Sequence, residues 1–459
     1  MDDFRASLPA SLADPLRALA REIRAAGGRA LLVGGAVRDL LLGSVPTELD
    51  AEVFGLDFEA IERALRGHFA TVRVGRSFPV LKLREHPIDV AVPRVEWATG
   101  PRHTDFAYRA GPELDFATAA RRRDFTINAI SWDPLTGTII DPVGGRNDLA
   151  DGILRKVSDQ FGEDVLRVLR AMQFAARFDF VVEEDTVATC RSLTPHHLAR
   201  ERVFEEWRKL FLRGQRPSRG LFFLEEAGWL RFYPELEATV DTPQDARWHP
   251  EGNVWPHTLY ALDAFAEERI GDPTEDLVVG LAVLCHDLGK PACTIHAKGA
   301  IRSPGHEKAG IEPTRRFLDR LTAESFWFDQ VEPLVATHMR PRQLYEQRSG
   351  PSAIRRLADR VGRIDRLLRV CRADAGGRPP LPRGDFAEGE WLRGEARKLC
   401  VEDQRPETLV RGRDLLDLGL DPGPPVGRLL RQLFEEQLEG IFSTREEGIA
   451  RARALLGKE

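Results

Sequence analysis

The sequence predicts an α+β chain, a mixed α/β unit followed by a mainly helical remainder. β-type runs at 30–33, 49–53, 80–83 and 88–92 alternate with helical segments up to about residue 135. From about 150 onward apolar residues recur at intervals of three and four, as in DVLRVLRAMQFAARF, RVFEEWRKLFL and DLVVGLAVLCHDL. At 459 residues the chain exceeds what one core holds, which is roughly 250 to 300 residues. Turn-rich stretches near 133–148, 240–253 and 375–385 divide it into expected units 1–135, 136–245, 246–378 and 379–459.

Composition narrows the class. With 42% hydrophobic and 30% charged residues the chain buries a core rather than remaining disordered. Five cysteines with no CxxC pair argue against a disulfide framework or a zinc ribbon, and fit a reducing cytoplasm. The opening MDDFRASLPA lacks the basic start and apolar core of an export signal, and the apolar run 277–285 is too short to span a bilayer, so neither export nor a membrane anchor is expected. A net charge of −6 runs against phosphate binding unless cations are concentrated locally. Arg121, Arg122 and Arg123, and then Arg167, Arg170 and Arg177, are such concentrations.

The segment ALLVGGAVRDLLLG reads as a strand, a turn at Gly34 and Gly35, and a short helix closed by Gly43. Such a turn lets backbone amides approach phosphate, and Arg38 in the first helical turn could touch a triphosphate; a purely structural turn has the same appearance. In the strand that follows, Glu48, Asp50 and Glu52 alternate onto one face. That face is either solvated or a site for two divalent ions. Asp89, inside the apolar run 88–92, needs a partner or a metal. Oxygen ligands suit Mg²⁺, and paired ions can activate an attacking hydroxyl while stabilising a leaving pyrophosphate.

The run Gly34-Gly35-Ala36-Val37-Arg38-Asp39, followed by an acid-x-acid pair, resembles the class II tRNA nucleotidyltransferase (CCA-adding enzyme) and poly(A) polymerase family. Arg123-Asp124-Phe125-Thr126-Ile127-Asn128-Ala129 and the connector from Asp141-Pro142 through Gly144-Gly145 to Asp148-Leu149 match further motifs. The resemblance implies a polymerase-β-like head domain followed by an all-α neck and body. It also implies a Mg²⁺ site at Glu48, Asp50 and Asp89, with Glu48 standing where the family has aspartate. Asp50-x-Glu52 is an alternative pair, shifted by two residues from the family spacing. Gly34, Gly35, Arg38, Arg123, Asp124 and Asn128 would contact the nucleotide's ribose and triphosphate.

Phe161 opens a segment expected to run as one helix through Arg170, with Asp164 and Arg167 on one face. In isolation that pair reads as an intrahelical ion pair. The family's Glu-Asp-x-x-Arg motif instead implies that Asp164 and Arg167, supported by Glu163 and with Arg170 in the same nucleotide-binding set, present acceptors and donors to the base of CTP or ATP. The block from Glu201 to Glu206 looks like the family's helical body.

Six of the eleven histidines fall between His249 and His338. His257, His286-Asp287 and Asp374 resemble the ligand order of HD phosphohydrolases, and His306 and His338 lie where some of those proteins hold a second ion. Imidazole and carboxylate suit Mg²⁺, Mn²⁺, Ni²⁺ or Co²⁺. His249 reads as structural or substrate-facing. The run WHPEGNVWPHT resembles the bacterial subfamily in which a CCA-adding enzyme is fused to an HD domain and a helical tail. That implies 2′,3′-cyclic phosphodiesterase, 2′-nucleotidase and phosphatase activities beside CCA addition to the tRNA 3′ end. A-adding, CC-adding and poly(A) polymerase activities share the head motifs, although the segment from Gly75 to Leu83 is nearer to the CCA-adding pattern. A phosphohydrolase that only binds RNA through its first domain is a further reading, given Glu48, and a non-catalytic tRNA scaffold would require idle metal sites.

Overall fold

The computed structural model describes residues 8–75, 79–98, 106–110, 114–196, 198–297, 299–382 and 384–457. Part of the 75–83 comparison, residues 76–78, therefore lies outside the described residues. The chain divides into two compact units, one of residues 1–214 and 219–229, the other of residues 215–218 and 230–459.

The first unit is built on a mixed sheet. Strands β1 (Arg29–Val33), β2 (Leu49–Phe54), β3 (Thr71–Val74), β4 (Val80–Leu83) and β5 (Ile88–Ala91) precede a separate ribbon of β6 (Arg94–Ala98) and β7 (Phe106–Ala110). Strands β8 (Ser131–Trp132) and β9 (Ile139–Ile140) complete the sheet in the order β3-β4-β5-β2-β1-β8-β9. Only β2 and β5 pair in parallel; the other neighbours are antiparallel. The expected boundary at 135 is corrected here, because it would cut between β8 and β9, which are hydrogen-bonded to each other.

Leu31, Leu32, Leu49, Val53, Ile88 and Val90 are fully buried, so the central strands read as continuous apolar runs interrupted only where acids are needed. Helix Ala10–Ala25 packs on β1 through Leu16, Leu19, Ala20 and Ile23. Beyond the sheet, helix Leu166–Phe178 buries a face of Leu169, Met172 and Ala176 and packs against helix Arg200–Arg213. It ends at Asp179, whose φ of 56° is left-handed, a conformation that aspartate tolerates better than most residues.

The second unit is almost entirely helical. Helix Pro273–Cys285 is its centre: residues 276–285 are all buried, Asp272 caps its N-terminus by accepting from Thr274 and Glu275, and proline occupies the first turn. A helix apolar on every side belongs inside a bundle, and this one packs against helices Val254–Glu267, Ser325–Val335 and Ile364–Gly376. The last three helices, Gly412–Asp417, Pro424–Glu439 and Arg445–Leu456, enclose their own small core of Val410, Leu415, Leu433, Phe442 and Ala452. No helix among the described residues is long and apolar enough to cross a membrane.

Candidate functional site

In the first unit, β1 ends in a turn that only glycine makes readily. Gly34 has φ 70°, and a Cβ there would stand 3.1 Å from the Arg123 guanidinium. Helix Gly35–Leu41 follows, and its Arg38 is buried. Instead of projecting freely toward a ligand, that guanidinium bonds Asp39 at 2.8 Å and Asn128 at 2.5 Å and lies over the rings of Phe174 and Phe178. Burial lowers its pKa, and the Asp39 charge opposes the shift. Arg38 is thus a fixed wall of the site.

The three acids of the stretch Glu48-Leu49-Asp50-Ala51-Glu52 separate. Glu48 precedes β2 and is exposed; Asp50 is exposed toward the site; Glu52 is buried. Glu52 accepts from Arg123 at 2.8 Å and also from Arg122, so the second member of the alternative pair Asp50-x-Glu52 is engaged by internal cations. Asp50 stands opposite Asp89 in the parallel β2–β5 register, and Asp89 accepts from Lys82 at 2.5 Å. Desolvation raises the Asp50 carboxyl above its ordinary range; Arg123 opposes this, and the charges of Asp89, Glu48 and Glu52 reinforce it. Such an array of oxygen donors under mutual repulsion fits a hard divalent cation.

Asp124 is buried beneath this site. It accepts from the Phe125 amide at 2.8 Å, Asn128 at 2.9 Å and Arg170 at 2.7 Å. Desolvation pushes its pKa up, but Arg170 and the hydrogen bonds outweigh it and hold the carboxyl below its ordinary range. The expected single helix from Phe161 is corrected: residues 159–163 form a 3₁₀ turn, and the α-helix begins at Leu166. Asp164 lies before that helix, its carboxylate accepting from the Leu166 amide two residues on at 3.1 Å and from Arg202 at 2.9 Å, so it closes a local turn rather than sharing a helical face with Arg167. Arg167 donates to the carbonyls of Gln160 and Arg122, each at 2.9 Å.

One cavity of about 520 Å³ nevertheless gathers Gly34, Gly35, Arg38, Asp50, Arg123, Asp124, Asn128, Asp164, Arg167 and Arg170. Arg122, Gln173, Phe174, Arg177, Lys209 and Arg213 also line it. Its cations outnumber its carboxylates, which answers the objection from net charge: the acidic chain carries a local basic cleft suited to a triphosphate. Lys209 and Arg213 escaped sequence reading because they lie beyond the block 201–206 that carries that helix's resemblance; the packing of the helix brings them in. The connector is structural: a Cβ on Gly145 would meet the Thr126 carbonyl at 2.1 Å, and Thr126 bonds Asp148 at 2.6 Å.

In the second unit, His257 comes from helix Val254–Glu267, His286 caps the end of helix Pro273–Cys285, and Asp374 lies near the end of helix Ile364–Gly376. His257 Nε2 stands 3.2 Å from Asp374, His286 Nε2 3.1 Å from Asp287, and His306 Nε2 3.3 Å from Asp287. His306 and His338 bring their Nε2 atoms within 3.1 Å of each other. The Nδ1 atoms of His286, His306 and His338 face the carbonyls of Val283, Ser303 and Val335 at 2.7 to 2.8 Å. These bonds place the proton on Nδ1 and aim each Nε2 lone pair inward.

The Nε2 atoms of His257 and His286 are buried with no hydrogen-bond partner among the described residues, and buried Asp287 meets nitrogens of His286, Lys290 and His306 at 2.7 to 3.3 Å. Orphaned donors of this kind fit metal ions, in two groups: His257, His286 and Asp374, and Asp287, His306 and His338. Burial, then the proximity of the His286 and His306 rings, lowers His338 to about 3, as a neutral ligand requires. Burial alone would raise Asp287 and Asp374, yet the neighbouring His286 and Lys290 for the first and Arg378 for the second hold both well below the carboxylate range. Three residues not singled out from the sequence support the cluster: Glu251 against His257, Lys290 against Asp287, and Arg378 against Asp374. A cavity of about 500 Å³ opens over it, lined by His249, Trp248, Arg302 and Arg342 among others.

Residues 30–155 match the Poly A polymerase head domain family, and residues 179–239 match the family described as the probable RNA and SrmB-binding site of polymerase A. The chain is 38% identical over 359 residues to a multifunctional CCA protein of Laribacter hongkongensis, covering 76% of this chain and 85% of the relative. Its fold is similar to the Bacillus stearothermophilus CCA-adding enzyme in complex with CTP, with a TM-score of 0.62 at 23% identity, covering 96% of this chain and 98% of that one. It is also similar in fold to a Thermotoga maritima CCA-adding enzyme complexed with tRNA, with a TM-score of 0.58 at 20% identity and coverage of 96% and 95%. The chain belongs to the family of the multifunctional CCA proteins, which are class II CCA-adding nucleotidyltransferases.

Proposed function

We propose that this protein adds CCA to tRNA 3′ ends from CTP and ATP, and that the His/Asp cluster of its second unit is an HD-type phosphohydrolase site. The observation that carries the first part is the basic cavity in which Gly34, Asp50, Asp124, Asn128, Asp164 and Arg170 meet. Partners and substrates follow the relatives' descriptions: a CCA-adding enzyme with CTP, and one with tRNA.

Mg²⁺ held by Glu48, Asp50 and Asp89 would supply charge stabilisation to the attacking hydroxyl and the leaving pyrophosphate. The protein's own part is positioning. Gly34 and Gly35 let phosphate approach the backbone, and Arg123 and Arg170 hold Glu52 and Asp124 so that the floor of the site is rigid. Asp164, fixed by Arg202, offers an acceptor and Arg167, fixed by two carbonyls, offers donors; together with Glu163 they read the base. CTP and ATP incorporation that survives Asp50→Ala would refute this assignment.

For the cluster, Glu251, Asp287 and Asp374 place three carboxylates against Lys290 and Arg378, an excess of negative charge that a divalent ion offsets. The ion would be held by His257, His286, Asp287 and Asp374, with His306 and His338 for a second, and would supply an activated water toward phosphate. The substrates would be 2′,3′-cyclic, 2′-terminal and other phosphate esters, and Arg302 and Arg342 at the cavity wall suit such anions. Removing a blocking phosphate from a damaged RNA end would restore the hydroxyl that the first site needs. The functional division is into head, neck and body, HD domain and tail, with the head carried past 135 to include Ile140 and the later boundaries kept at 245 and 378. Hydrolysis of a 2′,3′-cyclic nucleotide should disappear in His286→Ala and Asp287→Ala; undiminished hydrolysis would sink the proposal.

A further inference from the structure

His257 is held differently from the other cluster histidines. Its Nδ1 faces not only a carbonyl, that of Gly377 at 3.0 Å, but also Glu251 Oε1 at 2.9 Å. His249 Nδ1 reaches the same oxygen at 2.8 Å. The Glu251 side chain is fully buried, and its Oε2 has no hydrogen-bond partner among the described residues. With two acceptors in front of it, His257 Nδ1 keeps a proton, and Nε2, 3.2 Å from Asp374, is the nitrogen that would turn to a cation bound between them.

We infer that Glu251 is a positioning residue for the metal cluster, a buried carboxylate that orients His257 and strengthens it as a ligand, and that His249 competes with His257 for the same carboxylate oxygen. This rests on the reading of the cluster as a metal site. A carboxylate acceptor draws the Nδ1 proton more strongly than a carbonyl does, so it makes the opposite nitrogen a better donor to a cation. His286, His306 and His338 have carbonyl acceptors at Nδ1, so the effect is specific to the metal group containing His257. His249 lines the cavity above the cluster, and its hydrogen bond diverts part of the Glu251 charge from His257.

The two halves of the inference have opposite signs. Glu251→Gln preserves shape and removes charge, and it should weaken metal binding roughly ten- to a hundred-fold. His249→Phe removes the competing donor and should leave binding as tight as in the unsubstituted protein, or tighter. A residue that served only packing would lower affinity in both variants.

The test is titration of the chelator-treated full-length protein with Co²⁺, followed by visible absorption, with the signal lost in His286→Ala defining the cluster. Metal-free unfolding midpoints of each variant separate misfolding from weakened binding, and Glu251→Asp, which keeps the charge, should recover part of the affinity. The expected result is weakened binding in Glu251→Gln alone. Equal affinity in Glu251→Gln, or equal weakening in His249→Phe, overturns the inference while leaving the metal site intact. Absence of any cluster signal in the unsubstituted protein overturns the metal reading itself, and the inference with it.

Discussion

Asp50 and Asp89 stand directly opposite one another on β2 and β5, the one parallel pair in the sheet order. Two carboxylates at such a register position repel unless a cation lies between them. Asp50→Ala and Asp89→Ala should therefore each lower nucleotide incorporation by about 10²–10³-fold or more, with tRNA binding in a mobility-shift assay retained. Glu48→Asp, which restores the family's residue at an exposed position, should keep or raise incorporation.

Arg170 is the main counter-charge of buried Asp124. Arg170→Ala should destabilise the first unit by about 3 kcal/mol, the lower end of what removing one member of a buried pair costs. Chemical denaturation checks this. Arg170→Lys should restore part of the stability but not the paired geometry.

Gly34→Ala should cost about 1–3 kcal/mol because its backbone lies where side chains are strained. The new Cβ would also press on Arg123, so the Kd for CTP and ATP should rise together rather than selectively. Calorimetric titration separates that uniform loss from a change in base preference.

Asp133 is one acid-sensitive element of the first unit, beside Asp124. Burial would raise its pKa, but the amides of Leu135 and Thr136 and the Arg29 side chain lower it below the ordinary 3.8. A depressed carboxyl stabilises the fold fully above its unfolded value and loses that contribution as pH falls through the lower folded value. Asp133→Asn should then unfold more readily at neutral pH and show a shallower loss of stability below about pH 4. Thermal unfolding across pH 2.5–7 measures both, with those limits chosen roughly around the carboxylate range.

Much of the site was legible because its chemistry breaks local rules. Paired glycines before a helix, acids in apolar strands and a His-Asp pair at a helix end all stand out against a periodic background. What stayed hidden depends on distance in sequence. Glu251 sits six residues from His257 in a turn, but its role appears only when its side chain folds back onto that ring. Arg378 and Lys290 look like ordinary surface cations until the bundle places them on Asp374 and Asp287. The helix break between Glu163 and Leu166 was missed because Asp164 satisfies helical spacing while its carboxylate bonds the backbone two residues on. β8 and β9 are two residues each, too short to carry a periodic signal.

The most direct measurement is incorporation of labelled CTP and ATP, separately and together, into tRNA transcripts ending before CCA, after C and after CC, in the presence of Mg²⁺. Ordered addition of two cytidines and then one adenosine, abolished by Asp50→Ala, is the expected result. Incorporation of ATP alone, of CTP alone, or of neither nucleotide would contradict CCA addition.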